Sequence, residues 1–327
     1  MVVVYRPIYR QKKLPIRIDS VVNFESVWQQ MEFLKNKENI KKILKRSIDE
    51  NFYFLDLDLI KKQRKNNFGN LKCSPKRFIK EKDLEIAASK TLASIKQAHE
   101  YYKAAKNASP LTKPVFLYYG MVSLAKAMIS STYLVDKYSG HGLHVNNDFK
   151  VTVCKCGEYQ IFHDCYLGDT TIYSNETEIN LKDLLSVIPG ISLEWKNSYE
   201  FPKLPDSLVN AQFDMDYDYS RSKLGESYCE TINTSNGEFT VIFCNNDEGK
   251  TSMLENERFL HVMDAHFLSM YILCHFARYR PLKWIETIEN SPDINSYLIN
   301  AFLRRSELDF PILFYNELTG TQLQFRG

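Results

Sequence analysis

The sequence has no long uninterrupted apolar run and none of the short motifs that mark the common enzyme classes. No segment reaches the length of apolar residues that a membrane-spanning helix needs, so we expect no membrane partner. There is no Walker phosphate loop, no GxGxxG dinucleotide fingerprint, no GxSxG nucleophile turn and no HExxH zinc motif. The usual signatures of P-loop, dinucleotide-dependent, serine-hydrolase and zinc-peptidase enzymes are therefore missing.

Cysteine is also sparse, with 7 residues in a chain of 327. An odd number of cysteines in a chain of this length does not fit a disulfide scaffold. The chain opens without a charged segment followed by an apolar stretch, so we expect no secretory signal. These features predict a reducing, cytoplasmic setting.

Charge is unevenly distributed, although the formal net charge is only +2. Residues 1–107 contain 24 Lys and Arg against 12 Asp and Glu, whereas the remaining residues contain 18 against 28. This asymmetry predicts a basic face in the first third that binds nucleic acid or a protein partner. The alternative is that the two parts neutralise each other across an internal contact.

The most basic stretch, residues 61–82, combines cations with loop-forming residues and two phenylalanines, Phe68 and Phe78. Phosphate neutralisation gives affinity for nucleic acid and aromatic rings stack on bases, so this composition is typical of a nucleic-acid-binding loop. The alternative is a solvated loop without a partner. The candidate nucleic-acid-binding residues are Lys61, Lys62, Arg64, Lys65, Lys76 and Arg77.

Apolar periodicity predicts a mainly α member of the α+β class, with a helical core. Residues 81–107 and 114–138 place apolar side chains at helical spacing, and the short link between them predicts an antiparallel pair. The second of these helices has the longest apolar pattern, so we expect it to be central. A third long helix is predicted over residues 255–280 and ends at Pro281.

The other predicted elements are shorter. Residues 1–18 predict a strand or extended arm, residues 24–44 predict two helices separated at Asn39, and residues 310–318 predict an extended segment. Further helices are predicted over residues 181–187 and 292–306. The remaining strand candidates are residues 51–59, 150–156, 160–166, 192–201, 226–233 and 238–245.

These elements divide the chain into four segments that are expected to form one compact unit. They are a basic N-terminal segment with a strand and helices (1–80), the helical hairpin (81–146), a β-rich insertion (147–250) and the C-terminal helices that complete the core (251–327).

Five sequence elements occur in an order that is typical of one known family. They are SVWQQMEFL with Trp28, Lys113-Pro114 followed by YYGMVSLAKAMI, His141-Gly142-Leu143, LLSVIP at 184–189, and Ala277-Arg278-Tyr279-Arg280-Pro281 followed by Trp284. Together they resemble the YaaC-like family of bacterial proteins over residues 20–305. The resemblance implies a bacterial cytoplasmic protein, associated in some members with mobile or anti-phage loci. It implies no reaction.

The paired helices also resemble the HEPN superfamily, whose helical hairpins often bind or cut RNA. HEPN nucleases generally carry an Arg with a His about four to six residues beyond it. Here Arg258 is followed by His261 and His266, three and eight residues later, and this spacing departs from the family pattern. The resemblance implies RNA cleavage only if the site is unconventional.

The candidate catalytic residues are Arg278, His141, Tyr119 and Lys126. Arg278 can bind a phosphate or a carboxylate through two parallel hydrogen bonds, or it can simply complement a helix C-terminus. His141 can bring an imidazole towards Tyr119 and Lys126, or it can serve only to end a helix. A buried Lys126 needs a partner, and a carboxylate from the helix predicted over 255–280, such as Asp264, could supply it.

A hairpin over residues 150–166 would bring three cysteines and a histidine together. Alternation along two strands places Cys154 opposite Cys165 and Cys156 opposite His163. A Cys₃His set is suitable for structural zinc. The alternative is that cysteine serves here as a small apolar residue. We expect no other cofactor.

The sequence therefore predicts a YaaC-like cytoplasmic protein that binds nucleic acid or a protein partner, with anti-phage defence as a role implied by the family. The alternative is an HEPN-like RNA-cleaving effector with an unconventional site at Arg278, His141 and Tyr119. The sequence does not predict an oligomeric state.

Overall fold

The computed structural model describes most of the helical part of the chain. The described residues are 14–51, 81–133, 140–146, 148–154, 157–167, 177–186, 188, 191, 240–242, 259–290 and 294–325. The basic loop and the predicted strands 51–59, 192–201 and 226–233 lie outside them, except Asn51, which ends a helix. Within the described ranges, no helix combines the length and the apolar character needed to cross a bilayer.

Helices dominate the described chain, and the predicted mainly α, α+β class is confirmed. A 3₁₀ turn, Glu32–Lys35, follows the first helix, and a π-helical turn, Glu286–Asn290, follows the eighth. The helices are α1 (Phe24–Met31), α2 (Lys37–Asn51), α3 (Glu81–Lys106), α4 (Lys113–Tyr133), α5 (Glu158–Leu167), α6 (Leu181–Ser186), α7 (Val262–Tyr279), α8 (Pro281–Ile285) and α9 (Ile294–Thr319).

Short strands form three small sheets among the described residues. The first strand pairs in parallel with the last, so both ends of the described chain lie side by side. The second, third and fourth strands form an antiparallel sheet, and the fifth and sixth form an antiparallel pair. The strands are β1 (Leu14–Ile18), β2 (Leu143–Val145), β3 (Lys150–Val153), β4 (Thr177–Asn180), β5 (Thr240–Ile242), β6 (Phe259–His261) and β7 (Thr321–Phe325).

The predicted antiparallel helix pair is confirmed as α3 and α4. Thr91 Oγ1 donates a hydrogen bond to Ala127 O at 3.4 Å, and further along the pair Gly120 faces the buried ring of Tyr102. A Cβ atom at Gly120 would lie 2.6 Å from two carbon atoms of that ring. Glycine is therefore what allows the two helices to approach each other closely here.

α4 is the central helix, as its apolar pattern predicted. It packs against α3, α5, α7 and α9. From Met121 to Ser131 every side chain is buried except that of Lys126, which is partly covered. Apolar residues on all sides are typical of a helix that lies inside a core.

One hydrophobic core cluster includes side chains from all four predicted segments. Trp28 and Ile40 come from the first segment, Tyr102 from the second, Phe162 from the third and Phe302 from the fourth. The division into segments stays a prediction, but their apolar side chains share this core.

The predicted break between the first two helices occurs earlier than expected. Asn36, rather than Asn39, separates them, because Asn36 Oδ1 accepts a hydrogen bond from Glu38 N at 2.8 Å and begins α2. α1 begins in the same manner. Asn23 Oδ1 accepts from Ser26 N at 2.8 Å, and Ser26 Oγ accepts from Asn23 N at 3.0 Å, which is a capping box.

The prediction of a second strand in the 150–166 hairpin is wrong, because residues 160–166 lie in α5. The first strand exists as β3, but it pairs with β2 and β4. Buried Tyr159, Phe162 and His163 follow helical spacing, which was the signal available in the sequence. The aromatic content of this stretch favours strand by propensity, and tertiary packing outweighs that preference.

Two predictions near the C-terminus are also wrong. The helix predicted from residue 255 begins at Val262, because Phe259–His261 forms β6. Residues 310–318 are not extended but continue α9 through Pro311. Pro311 lacks the N–H that would bond the carbonyl four residues earlier, yet buried neighbours such as Phe310 and Phe314 hold the helix together.

Candidate nucleic-acid interface

Arg278 lies in the last turn of α7, where the helix leaves the core. The residues from Val262 to Met270 are all buried, whereas Arg278 and Tyr279 are exposed. The guanidinium carbon of Arg278 lies 4.7 Å from the ring centroid of Tyr279 and 5.6 Å from that of Tyr119 on α4. A cation over the face of an aromatic ring is attracted by the ring quadrupole, so these contacts fix the arginine beside two rings.

A third tyrosine extends this group onto α3. The rings of Tyr101 and Tyr119 are stacked, with centroids 5.7 Å apart and planes inclined by 27°. Three helices thus contribute to one surface, which we call the arginine–tyrosine surface and define as Tyr101, Tyr119, Arg278 and Tyr279. The exposed fraction of Tyr279 is 57%, so much of its ring faces solvent.

The positive charge of this surface is not neutralised by an acid in the part of the chain that the structure describes. The thiol of Cys274 lies one turn before Arg278 in α7 and interacts with its guanidinium. Burial raises the pKa of that thiol to about 12, so it is uncharged at neutral pH. Burial, and then the charges of Arg280 and Arg278, lower the pKa of His275, so this imidazole is neutral as well.

Positive charge and exposed apolar surface continue beyond the end of α7. Arg280 is exposed, and Leu282 in α8 has an exposed fraction of 71%. Lys283 Nζ lies 5.3 Å from the ring centroid of Phe149 and 5.4 Å from that of Phe276. Cations and rings therefore alternate along this end of the molecule.

The arginine–tyrosine surface rests on a fixed interior. Behind Tyr119, the buried ring of Tyr118 lies 5.4 Å from that of Tyr271 and 5.8 Å from that of Phe267. Tyr271 Oη donates a hydrogen bond to Leu143 O at 2.8 Å, which ties α7 to β2. The rings of the surface are held by core packing rather than by a loop.

Two of the four candidate catalytic residues, Arg278 and Tyr119, come together. Lys126 is partly buried near Glu158, whose pKa is raised by burial and lowered to a smaller extent by that lysine. His141 is exposed, and its carbonyl accepts a hydrogen bond from Tyr159 N at 3.2 Å, so its backbone anchors α5. Among the described residues, the contacts of Arg278 do not include His141.

Asp264 pairs with α5 rather than with Lys126, and that expectation is wrong. Its carboxylate oxygens lie 3.0 and 3.1 Å from His163 Nδ1, and it accepts a hydrogen bond from Tyr159 Oη at 2.7 Å. Asp264 and His163 are fully buried. The sequence signal was an acid in the first turn of an otherwise apolar helix, but its partner depended on how α5 and α7 pack.

The hairpin that suggested a zinc site does not form. His163 and Cys165 are two positions apart in α5, and about 100° per residue directs their side chains to opposite sides of the helix. Cys165 Sγ donates to Ile161 O at 3.1 Å, and Cys156 lies outside the described residues. In the described ranges, no three His, Cys, Asp or Glu residues come together in a group that could hold a metal ion.

The candidate basic stretch lies between α2 and α3 in the sequence, and its predicted binding residues lie outside the described residues. Glu81, the first residue of α3, pairs with α2, since Lys41 and Lys45 lie 3.1 and 3.0 Å from its carboxylate. Tyr101 is 20 residues beyond Glu81 along α3, and a rise of 1.5 Å per residue separates them by about 30 Å. The arginine–tyrosine surface is therefore near the C-terminal end of α3, whereas the basic stretch precedes its N-terminal end.

Comparison with known proteins supports the resemblance described for the sequence. The family model described as YaaC-like Protein matches residues 33–318. No curated protein and no solved structure matches the chain. Because the family model covers most of the sequence, the chain belongs to the YaaC-like protein family.

Proposed function

We propose that this protein binds nucleic acid, and that the arginine–tyrosine surface is part of the binding site. The observation that carries the proposal is Arg278, a cation without an acidic partner in the described chain, held between the rings of Tyr119 and Tyr279. Guanidinium groups bond phosphate with two parallel hydrogen bonds and also stack on bases. Exposed tyrosine rings accept bases by stacking.

The basic first third supports the same proposal. Lys37 and Lys106 each form an ion pair whose acid, Glu85 and Glu25 respectively, also belongs to residues 1–107. Because both acids belong to the first third, these two pairs leave its numerical excess of basic residues unchanged. Lys and Arg side chains that meet phosphates supply the sequence-independent, salt-dependent part of nucleic-acid affinity. The residues of the basic loop, from Lys61 to Arg77, belong to this part of the proposal.

RNA cleavage is the second candidate function, and His275 is the observation that favours it. His275 lies one helical turn before Arg278, on the same side of α7, and its lowered pKa makes it a proton acceptor at neutral pH. The described HEPN-type histidine, His266, lies in the core rather than at this surface. Arg258 lies outside the described residues, and the Nδ1 atom of His266 is bonded to Ser306 Oγ at 2.7 Å inside the core.

The proposal is tested by the salt dependence of binding. Fluorescence anisotropy with a labelled mixed-sequence RNA or DNA strand gives the dissociation constant at several salt concentrations. The variant Arg278→Gln is expected to weaken binding and to reduce the slope of log K against log salt by about 1, because one phosphate contact is lost. Arg304→Gln is the matched control, because it removes an exposed arginine from a different helix, α9. This variant is expected to bind as the unmodified protein does.

Three further outcomes decide between the alternatives. Cleavage of the RNA that is abolished by His275→Gln in a folded protein supports the second candidate function. Absence of binding to RNA and DNA at low salt contradicts the proposal and leaves a protein-binding role. Equal effects of Arg278→Gln and Arg304→Gln would show that binding occurs elsewhere. The cytoplasmic setting and a role in phage defence belong to the proposal as expectations from the family.

A further inference from the structure

The exposed ring of Tyr279 limits which form of nucleic acid the arginine–tyrosine surface can accept. This tyrosine is more than half exposed, and the contacts of its ring are with Arg278 at 4.7 Å and with the ring of His275 at 5.2 Å. Base stacking requires the flat face of a base to meet the flat face of a ring. Inside a duplex both faces of each base are covered by its neighbours, so only an unpaired base can stack on the tyrosine.

The end of α7 is poorly placed to enter a duplex groove. Direct readout of duplex DNA requires an exposed helix or ribbon that enters the major groove. α7 is buried along most of its length and emerges only at its last turn, and α8 is five residues long. What the end of α7 offers instead is an exposed tyrosine ring beside an arginine.

Two arginines flank the exposed ring of Tyr279. Arg278 is beside the ring, and Arg280 is exposed one residue later. This order of cation and ring suits a strand that stacks one base on Tyr279 and whose phosphates meet the arginines.

The surface is also arranged in advance of binding. Tyr119 is stacked on Tyr101 and backed by Tyr118, so little side-chain freedom remains to be lost when a base arrives. Resting on the proposed function, we propose that this surface binds single-stranded nucleic acid, with one unpaired base stacked on Tyr279 and the adjacent phosphate bonded by Arg278.

The test compares three probes of equal length: a single strand, a duplex of the same sequence, and an abasic strand that retains the phosphates. Tyr279→Leu is expected to weaken binding of the single strand by about 5- to 150-fold, the range for loss of one stacked base. Tyr279→Phe keeps the ring and is expected to retain binding. Tyr297→Leu is the matched control, because this tyrosine on α9 is also about half exposed, at 52%.

The probes separate the inference from the proposed function. Binding of the abasic strand is expected to be weaker, insensitive to Tyr279→Leu and still sensitive to Arg278→Gln. If the single strand and the duplex bind equally and Tyr279→Leu has no effect, while Arg278→Gln weakens both, the inference is wrong and the proposed function stands. If no probe binds at low salt, both are wrong. Thermal unfolding of each variant checks that the fold is retained.

Discussion

Gly157 lies in the connection between β3 and α5, and its replacement by alanine is expected to lower the free energy of unfolding. Its φ of +144° is a conformation that residues with a side chain rarely adopt. A Cβ atom there would lie 2.4 Å from Gly142 Cα and 2.8 Å from His141 C. Both contacts are with backbone, which cannot rotate away as a flexible side chain could.

The neighbouring backbone is also held by hydrogen bonds. Cys154 N donates to Gly142 O at 2.9 Å, Glu158 N donates to Gly140 O at 3.0 Å, and Tyr159 N donates to His141 O at 3.2 Å. Relieving the overlap would therefore stretch the bonds that begin α5. Strain of about 1–3 kcal/mol for the backbone conformation and about 1–3 kcal/mol for overpacking predict that replacing the glycine by alanine costs about 2–6 kcal/mol.

Gly140→Ala is the matched control for Gly157→Ala. Gly140 also has a positive φ, of +69°, but nothing lies within 4 Å of the position that its Cβ would take. Gly140→Ala is therefore expected to lower the free energy of unfolding by only about 1–2 kcal/mol, the cost of the left-handed conformation. Urea unfolding followed by circular dichroism measures both variants. Equal losses of unfolding free energy would refute the argument that the contact with Gly142 matters.

Three other predictions concern packing and charge. Gly120→Ala is expected to destabilise the protein despite the higher helix propensity of alanine, because the new Cβ would overlap the ring of Tyr102. Adding Tyr102→Leu to that variant is expected to recover part of the loss, and a double-mutant cycle by urea unfolding measures this coupling. Burial, and then the charge of Lys35, lower the pKa of His99 below 6.5, so stability is expected to decline as the pH falls through 6.5. His99→Gln is expected to reduce that decline in pH-dependent unfolding, while the contribution of His275, whose pKa is also lowered, remains. Glu307→Gln removes the carboxylate of a largely buried ion pair between α9 and α4 and is expected to cost about 1.5–3 kcal/mol, whereas no loss of thermal stability would contradict that pairing.

The helical core could be predicted because its signals are long and local. α3 and α4 repeat apolar residues at helical spacing over many turns, and a short link between two such helices leaves an antiparallel pair as the natural arrangement. The errors arose where local signals were short or conflicted with packing. Residues 310–318 were predicted to be extended, but the buried residues around Pro311 keep α9 continuous. Residues 160–166 have strand propensity, but α5 buries one helical face.

The candidate site could be predicted residue by residue but not as an assembly. Arg278 and Tyr119 were both selected from the sequence, and their contact depends on how α4 and α7 pack. Tyr101 and Tyr279 complete the surface. Tyr279 belongs to the Ala277–Pro281 element but was not selected as a site residue, and no signal in the sequence distinguished Tyr101. The pairing of Asp264 with His163 was missed for the same reason, since the two residues are 101 positions apart.

Ultraviolet crosslinking tests the central claim most directly, because it reports which residues touch the bound strand. A uridine-containing single strand is crosslinked to the unmodified protein, and the linked peptides are identified by mass spectrometry. Linked peptides are expected from the end of α7, at Tyr279, and from α4, at Tyr119, with a lower yield in Arg278→Gln. Linked peptides confined to other regions, such as the exposed side of α9 at Tyr297, would show that the strand binds elsewhere.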